Sequence, residues 1–149
     1  MSSHRLAQIN VARLLAPIDA PETADFVAAL EPVNARADRS PGFVWRLQTE
    51  SGDATSVQAF DDPLVIVNLT VWESIEALEA FAYREASHLA VLRRRREWFA
   101  RAVEAATALW WVPSGHIPGV DEALDRLATL RAQGPSPTAF TFRERFPAP

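Results

Sequence analysis

The sequence predicts an α+β domain whose core is a four-stranded antiparallel sheet with two main helices on one face. Hydrophobic residues recur at strand spacing and at helical spacing in the order strand, helix, strand, strand, helix, strand, and a further helix and strand follow. The length of 149 residues, with 48% hydrophobic and 23% charged residues, is that of one globular domain. We therefore predict a single domain over residues 1–149.

The first strand and the first helix come from the start of the chain. Residues 6–15 are rich in aliphatic and β-branched side chains and end before a proline, as a strand does. Residues 21–40 begin with Pro-Glu and carry apolar residues at helical spacing, which predicts a helix. We expect Pro32 to kink or divide this helix, because an interior proline removes a hydrogen bond and clashes with the preceding turn.

Two more strands follow. Residues 41–50 alternate apolar and other side chains after a Pro-Gly turn. Residues 55–60 are predicted to be an edge hairpin arm or a lid over a pocket. Residues 63–72 predict the third strand, and because strand side chains alternate between faces, they divide into two rows. The aliphatic row is Val65, Val67, Leu69 and Val71, and the mixed row is Leu64, Ile66, Asn68, Thr70 and Trp72.

The second half of the chain supplies the remaining core elements. Ser74 is a good N-cap for the second main helix. Residues 88–108 are predicted to continue that helix, or to form another one after a break near Ser87. Residues 107–113 predict a fourth strand, and residues 120–133 carry the apolar stripe of an added helix that ends at a glycine.

The order of the elements fixes the expected topology, with residues 138–146 as a last short strand or extended tail. Right-handed crossovers turn this order into a ferredoxin-like βαββαβ sheet with both main helices on one face. The other face carries the aliphatic row, which cannot face water in a stable monomer. A second copy that packs sheet to sheet across a two-fold axis is the simplest cover, so we predict a homodimer.

The composition excludes several classes of function. The chain has no cysteine and three histidines, so we expect no metal site and no cofactor. The net charge of −4 argues against a nucleic-acid partner. No apolar stretch approaches the roughly 20 residues of a membrane span, and the start lacks the features of a signal peptide. We expect a cytoplasmic protein with no membrane partner.

Several stretches resemble known families. The run NLTVWESIEALEAF, in which an asparagine and a tryptophan on the third strand lead into a helix that starts at serine, resembles the dimeric α+β barrel superfamily and its antibiotic-biosynthesis-monooxygenase-like proteins. The stretches FVWRLQTE, VWESIEALEAF, RRREWF, LWWVP with the Gly, His and Pro that follow, and AFTF look like an uncharacterised bacterial domain-of-unknown-function family within that superfamily. This second resemblance spans nearly the whole chain.

The resemblance implies a pocket between the sheet and its helices. In the cofactor-independent monooxygenases of the superfamily, an asparagine and a tryptophan hold an aromatic substrate whose enolate reduces dioxygen. By position, Asn68 would donate a hydrogen bond to the substrate oxygen and Trp72 would form the aromatic wall. The heme-degrading branch instead implies Asn10, Trp72 and His88, with the histidine as iron ligand, although the arginine-rich helix departs from that branch.

The residues themselves support a pocket but leave structural alternatives open. Asn68 is a polar residue in an apolar strand, and its alternative role is a structural hydrogen bond to a loop. The alternative role of Trp72, on the same row, is that of a core residue. Asn10, which shares a face of the first strand with Gln8, extends the polar patch if the first and third strands are neighbours. His88 is a candidate base or ligand, or else a surface or capping residue.

The candidate catalytic residues are therefore Asn68, Trp72 and His88, and the candidate substrate-binding residues are Asn10, Trp45, Arg96, Trp111 and His116. Arg96 falls on the apolar stripe of its helix, while most of the RRRR run at 93–96 should be solvated. Trp111 and its neighbour Trp110 point to opposite faces, so only one can reach a pocket. His116 lies in a Gly- and Pro-flanked loop that suits either a site or a turn.

Three functions are compatible with the predicted fold and the candidate residues. The first is a homodimer that binds a small hydrophobic or aromatic molecule and acts as a cofactor-independent monooxygenase-like tailoring enzyme. The second is a non-catalytic ligand carrier or structural dimer, in which the same residues belong to the core. The third is a heme-binding or heme-degrading protein.

Overall fold

A computed structural model describes residues 3–48 and 62–149 of the chain. The strands are β1 (His4–Arg13), β2 (Phe43–Arg46), β3 (Val65–Trp72) and β4 (Thr107–Pro113). The helices are α1 (Ala24–Asp38), α2 (Ile75–Arg84), α3 (Ala86–Arg93), α4 (Arg95–Trp98) and α5 (Val120–Gln133), and a short 3-10 turn (Pro21–Thr23) precedes α1. The predicted arm or lid at 55–60 lies outside the described residues.

The strands form one antiparallel sheet in the order β2-β3-β1-β4, which confirms the predicted ferredoxin-like α+β fold. β1 is central because it pairs along its length with β3 on one side and with β4 on the other. The predicted last strand is an extended tail that touches the sheet edge at one point. There Phe140 and Leu109 exchange two backbone hydrogen bonds of 2.8 and 2.9 Å.

The two rows of β3 face opposite sides of the sheet, as predicted. On the mixed-row side, Trp72 is buried with Leu78 and Phe81 of α2. On the aliphatic-row side, the residues of the row pack against α5 through Leu127 and Leu130. The expectation that this second face is bare in one subunit was wrong, because the amphipathic C-terminal helix covers it. The homodimer stays a prediction, and the aliphatic row no longer requires one.

The helical region after β3 is shorter than its hydrophobic periodicity predicts. Ser74 caps α2 by accepting a hydrogen bond of 3.1 Å from the amide of Ala77, and the predicted break falls at Glu85. Residues 99–106 were expected to be helical and are not. Phe99 is extended and bridges to Leu14 beyond the end of β1, so the chain leaves the helix to join the sheet, and 98% of Val103 is exposed.

Pro32 does not divide the first helix. α1 runs without interruption from Ala24 to Asp38 and holds Pro32 in its interior. Packing of its apolar residues against the sheet and α3 holds the helix together despite the lost hydrogen bond. No helix within the described residues has the length and apolar character needed to cross a membrane.

Candidate functional site

A cleft of about 870 Å³ is lined by the mixed-row face of the sheet, by the helices α1 to α4 and by residues of the segment 99–106, and it reaches Val67 and Arg131 on the α5 side. Its floor comes from β1 and β3, one wall from α1, and the other from α2 and α3. The apolar lining includes Phe26, Leu30, Val33, Ile66, Trp72, Phe81, Val91 and Phe99. A site of this size and lining suits a small, largely apolar molecule.

A chain of hydrogen bonds crosses the floor of the cleft. The indole N–H of Trp72 donates to Thr70 Oγ1 over 3.0 Å, and the Thr70 hydroxyl donates to Gln8 Oε1 over 2.8 Å. This arrangement leaves the Nε2 donors of Gln8, which also lines the cleft, without a partner among the described residues. These hydrogen bonds fix the orientation of the Gln8 side chain, so that its amide N–H groups are available as donors at the cleft.

Two asparagines continue the polar floor. Asn10 of β1 and Asn68 of β3 are direct cross-strand partners, so the predicted shared patch exists. Asn10 is half-buried and donates to Thr107 Oγ1 of β4 over 2.7 Å. Asn68 is exposed at the cleft and makes no hydrogen bond within the described residues. Among the residues that the structure describes, no structural hydrogen bond holds Asn68, so these residues leave its amide open to the cleft.

An aromatic ladder joins the floor to the helical wall. The ring of Trp72 stacks on Phe81 with centroids 5.5 Å apart, and Phe81 contacts the His88 ring at 5.0 Å. Trp72 is 1% exposed, so it serves mainly as core beneath the cleft. α2 and α3 place Phe81 and His88 side by side because the helical break at Glu85 turns the chain between them. The Glu85 side chain caps α3 by accepting from the amides of Ser87 and His88.

The contacts of His88 define its tautomer. Its Nδ1 lies 2.7 Å from the carbonyl oxygen of Ala82, which can only accept, so Nδ1 carries the proton of the neutral ring. Nε2 then holds the lone pair, and it has no partner among the described residues. Burial lowers the pKa of His88 below its ordinary value of 6.5, against smaller raising effects from the Ala82 carbonyl and Glu85. At neutral pH the side chain is therefore an uncharged acceptor.

The arginines of the RRRR run at 93–96 differ in their contacts: Arg94 forms ion pairs, whereas Arg95 and Arg96 line the cleft. Arg94 pairs with Asp25 and Glu97 over 2.9 and 2.8 Å and lies over the Trp98 ring. Arg95 and Arg96 line the cleft. Both are exposed, and neither forms an ion pair within the described residues.

Three predicted binding residues lie away from the cleft. Trp45 packs on the α5 side of the sheet, because a bulge in β2 separates it from Phe43. Trp111 donates its indole N–H to the carbonyl of Phe146 in the C-terminal tail over 2.8 Å. His116 bonds to Glu122 of α5 over 2.7 Å, and the same carboxylate accepts from the indole of Trp110. The structure brings together Asn68, Trp72, His88, Asn10 and Arg96, and leaves these three outside.

Sequence reasoning did not select Gln8, Thr70, Phe81 or Asn34 as site residues. Gln8 and Thr70 occupy facing positions on neighbouring strands, next to the Asn10 and Asn68 pair, so strand register would have found them. Asn34 lines the cleft from α1 and has no hydrogen-bond partner among the described residues. The sequence did not indicate that Phe81 lines the cleft, because an aromatic residue on an amphipathic helix predicts only core packing.

The cleft therefore combines a neutral imidazole acceptor with amide donors on an apolar, aromatic surface. Such groups can remove a weakly acidic proton and stabilise the anion that results. Across residues 3–48 and 62–149, no cluster of three or more His, Asp or Glu side chains forms a metal site.

The fold and the cleft define a ferredoxin-like α+β protein with a cleft that is lined by amide and aromatic side chains. The chain belongs to the family described as Domain of unknown function (DUF3291), whose model matches residues 5–149. This match confirms the second resemblance inferred from the sequence. No curated protein matches the chain.

Solved structures share the fold at low identity. A protein from Nitrosomonas europaea provisionally assigned as an antibiotic biosynthesis monooxygenase is 18% identical, with 80% of this chain and 98% of that chain covered and a TM-score of 0.51. PA3566 from Pseudomonas aeruginosa is 15% identical, with 78% and 98% covered and a TM-score of 0.50. SnoaB, a cofactor-independent oxygenase from Streptomyces nogalater, is 15% identical, with 78% and 97% covered and a TM-score of 0.46.

Proposed function

We propose that the cleft binds a small aromatic molecule and acts on it as a cofactor-independent oxygenase. The observation that carries this proposal is the state of His88. Its Nδ1 proton is held by the Ala82 carbonyl, its lowered pKa keeps the ring neutral, and its Nε2 lone pair is left for a ligand. An uncharged base in an apolar cleft is suited to take a proton from a phenolic ketone or a related carbon acid.

The amide groups complete the proposed chemistry. When His88 removes a proton from the substrate, negative charge develops on the substrate oxygen, and Asn68 or the free Nε2 of Gln8 donates a hydrogen bond to it. The enolate then supplies the electrons that reduce dioxygen. For an anthrone, one oxygen atom enters the ring as a carbonyl and the other leaves as water, so no external reductant is needed.

Oxygen uptake tests this proposal. With 1,8-dihydroxyanthrone as substrate, we expect consumption of dioxygen above the rate of protein-free autoxidation. His88→Gln should lower the rate by about 100-fold or more, the usual effect of losing a general base. Asn68→Ala should lower it by about 10-fold, a small value for an oxyanion donor because Asn68 is exposed. Gln133→Ala is the matched control, because Gln133 is exposed and does not line the cleft.

The outcomes separate the enzyme from a carrier. The Nitrosomonas europaea protein that shares the fold is provisionally assigned as a monooxygenase, which makes oxygen uptake the first assay. If the anthrone raises the melting temperature but dioxygen is not consumed, the cleft is a carrier site. If the anthrone neither shifts the melting temperature nor consumes dioxygen, both functions fail for this ligand.

The same histidine makes heme binding a second candidate. A histidine that donates from Nδ1 to a backbone carbonyl and leaves Nε2 free has the arrangement usual for metal-ligating imidazoles. A Soret band that forms on adding hemin and is lost in His88→Gln would support this function. A Soret band unchanged by that substitution would remove it.

A further inference from the structure

The mouth of the cleft carries more positive charge than the described residues neutralise. Three exposed arginines line it without an ion pair among those residues, namely Arg95, Arg96 and Arg101. One of them, Arg95, donates to the carbonyl of Leu92. The chain as a whole has a net charge of −4, so this excess is local to the cleft.

The other arginines at the cleft are already paired. Arg13 bonds to Asp62 over 2.8 Å, and Arg46 bonds to Asp38 over 2.7 Å. Arg131 lies 3.6 Å from Glu104, which is the one carboxylate among the described residues that line the cleft. No described acid remains at the cleft to neutralise Arg96 or Arg101.

The position of these arginines differs from that of their neighbours in the run. Arg93 does not line the cleft, and Arg94 is fixed by Asp25 and Glu97. The turn between α3 and α4 therefore sends two members of the run toward the cleft.

We propose that the cleft takes a carboxylate-bearing molecule with an aromatic body, whose carboxylate binds Arg96 together with Arg95 or Arg101. A guanidinium fork matches the two oxygens of a carboxylate, and several like charges around one mouth attract an anion. This inference rests on the proposed aromatic cleft and names its substrate class. Binding at the mouth would direct the aromatic body inward, toward the polar floor and His88.

Paired ligands test the inference. Anthracene-2-carboxylate and anthracene-2-carboxamide have nearly the same body and differ in charge, and their binding can be followed by fluorescence anisotropy. We expect the carboxylate to bind about 3- to 10-fold more tightly, a range set by charge-assisted hydrogen bonds that remain partly exposed. The preference should shrink as salt is raised, because exposed charges are screened.

Two arginine variants locate the effect. Arg96→Gln should remove most of the preference for the carboxylate and leave the binding of the amide unchanged. Arg93→Gln, in the same run but outside the cleft, should keep the preference. An equal loss in both variants would overturn the proposal in favour of a general field effect.

The remaining outcomes distinguish this inference from the proposed function. If acid and amide bind equally, the aromatic cleft stands and the anionic substrate class is overturned. If neither binds to the folded protein, the cleft itself fails, and the inference with it. Competition with tetradecanoate tests whether the body of the ligand must be aromatic. If this aliphatic acid displaces anthracene-2-carboxylate and binds more tightly than it does, the proposed aromatic body is overturned.

Discussion

At the scale of single residues, His88 links burial to chemistry. Its ring contacts Phe81, and its Nδ1 proton is donated to the carbonyl of Ala82. The charged groups near it are Glu85, which caps its helix, and Arg95 and Arg96, which line the same cleft. Desolvation is the largest effect on its pKa and lowers it. The site therefore favours the form that can accept a proton.

This lowered pKa predicts how stability depends on pH. A group whose pKa is lower in the folded state binds fewer protons there, so its contribution to stability is present above pH 6.5 and is lost as the pH falls below that value. Urea denaturation at about pH 8 and pH 5 should show a smaller loss of stability in His88→Gln than in wild type. An unchanged loss in the variant would show that another group titrates.

Thr70 gives a second prediction at this scale. Thr70→Val leaves the buried indole N–H of Trp72 without its acceptor, which should lower the free energy of unfolding by about 1–3 kcal/mol. Thr107→Val is the matched control, because it removes the acceptor of the half-buried Asn10, whose amide can turn to water. Denaturant titration of both variants is the measurement, and equal losses would argue against a special cost at Trp72.

At the scale of elements, local sequence signals predicted where helices begin. They failed where the end of a helix depends on contacts with residues that are distant in sequence. Ser74 and the break near Ser87 were predictable, since capping depends on neighbours in sequence. The end of helix at Trp98 was not, because it depends on the bridge between Phe99 and Leu14, far away in sequence. Pro32 shows the same limit, since tertiary packing keeps α1 continuous around it.

Pro32 therefore weakens a helix that the fold retains. Pro32→Ala should restore the missing amide donor and raise the free energy of unfolding, by up to about 3 kcal/mol. Thermal denaturation followed by circular dichroism measures the change, with Glu31→Ala at the adjacent exposed position as control. A variant no more stable than wild type would mean that Pro32 lowers the conformational entropy of the unfolded chain enough to offset the hydrogen bond that it removes from α1.

At the scale of the whole molecule, the sheet and its strand order were predictable from hydrophobic alternation, and the cover of its second face was not. Periodicity shows that the aliphatic row must be buried, but it does not say whether α5 or a second copy buries it. The residues that line the candidate cleft were predictable in the same partial way. Asn68, Asn10 and His88 stood out as polar residues in apolar settings, while Gln8 and Thr70 required the register between β1 and β3.

The role of α5 can be tested through Leu127, which is 1% exposed against the sheet. Leu127→Ala should lower the free energy of unfolding by about 2–5 kcal/mol, the usual cost of such a cavity. Because the contact lies within one subunit, the loss should not vary with protein concentration. A loss that grows on dilution would place this face at an interface between copies. Light scattering at micromolar concentration tests the homodimer itself.

The central claim is that the cleft beside Trp72 and His88 is the ligand site. Titration of nitrogen-15 labelled protein with anthracene-2-carboxylate, observed by nuclear magnetic resonance, tests it most directly, because the indole N–H groups give separate signals. We predict saturable shifts for the Trp72 indole and the Gln8 side-chain amide, with the Trp110 indole unmoved on the other face of the sheet. Shifts at Trp110 with Trp72 unchanged would contradict the account.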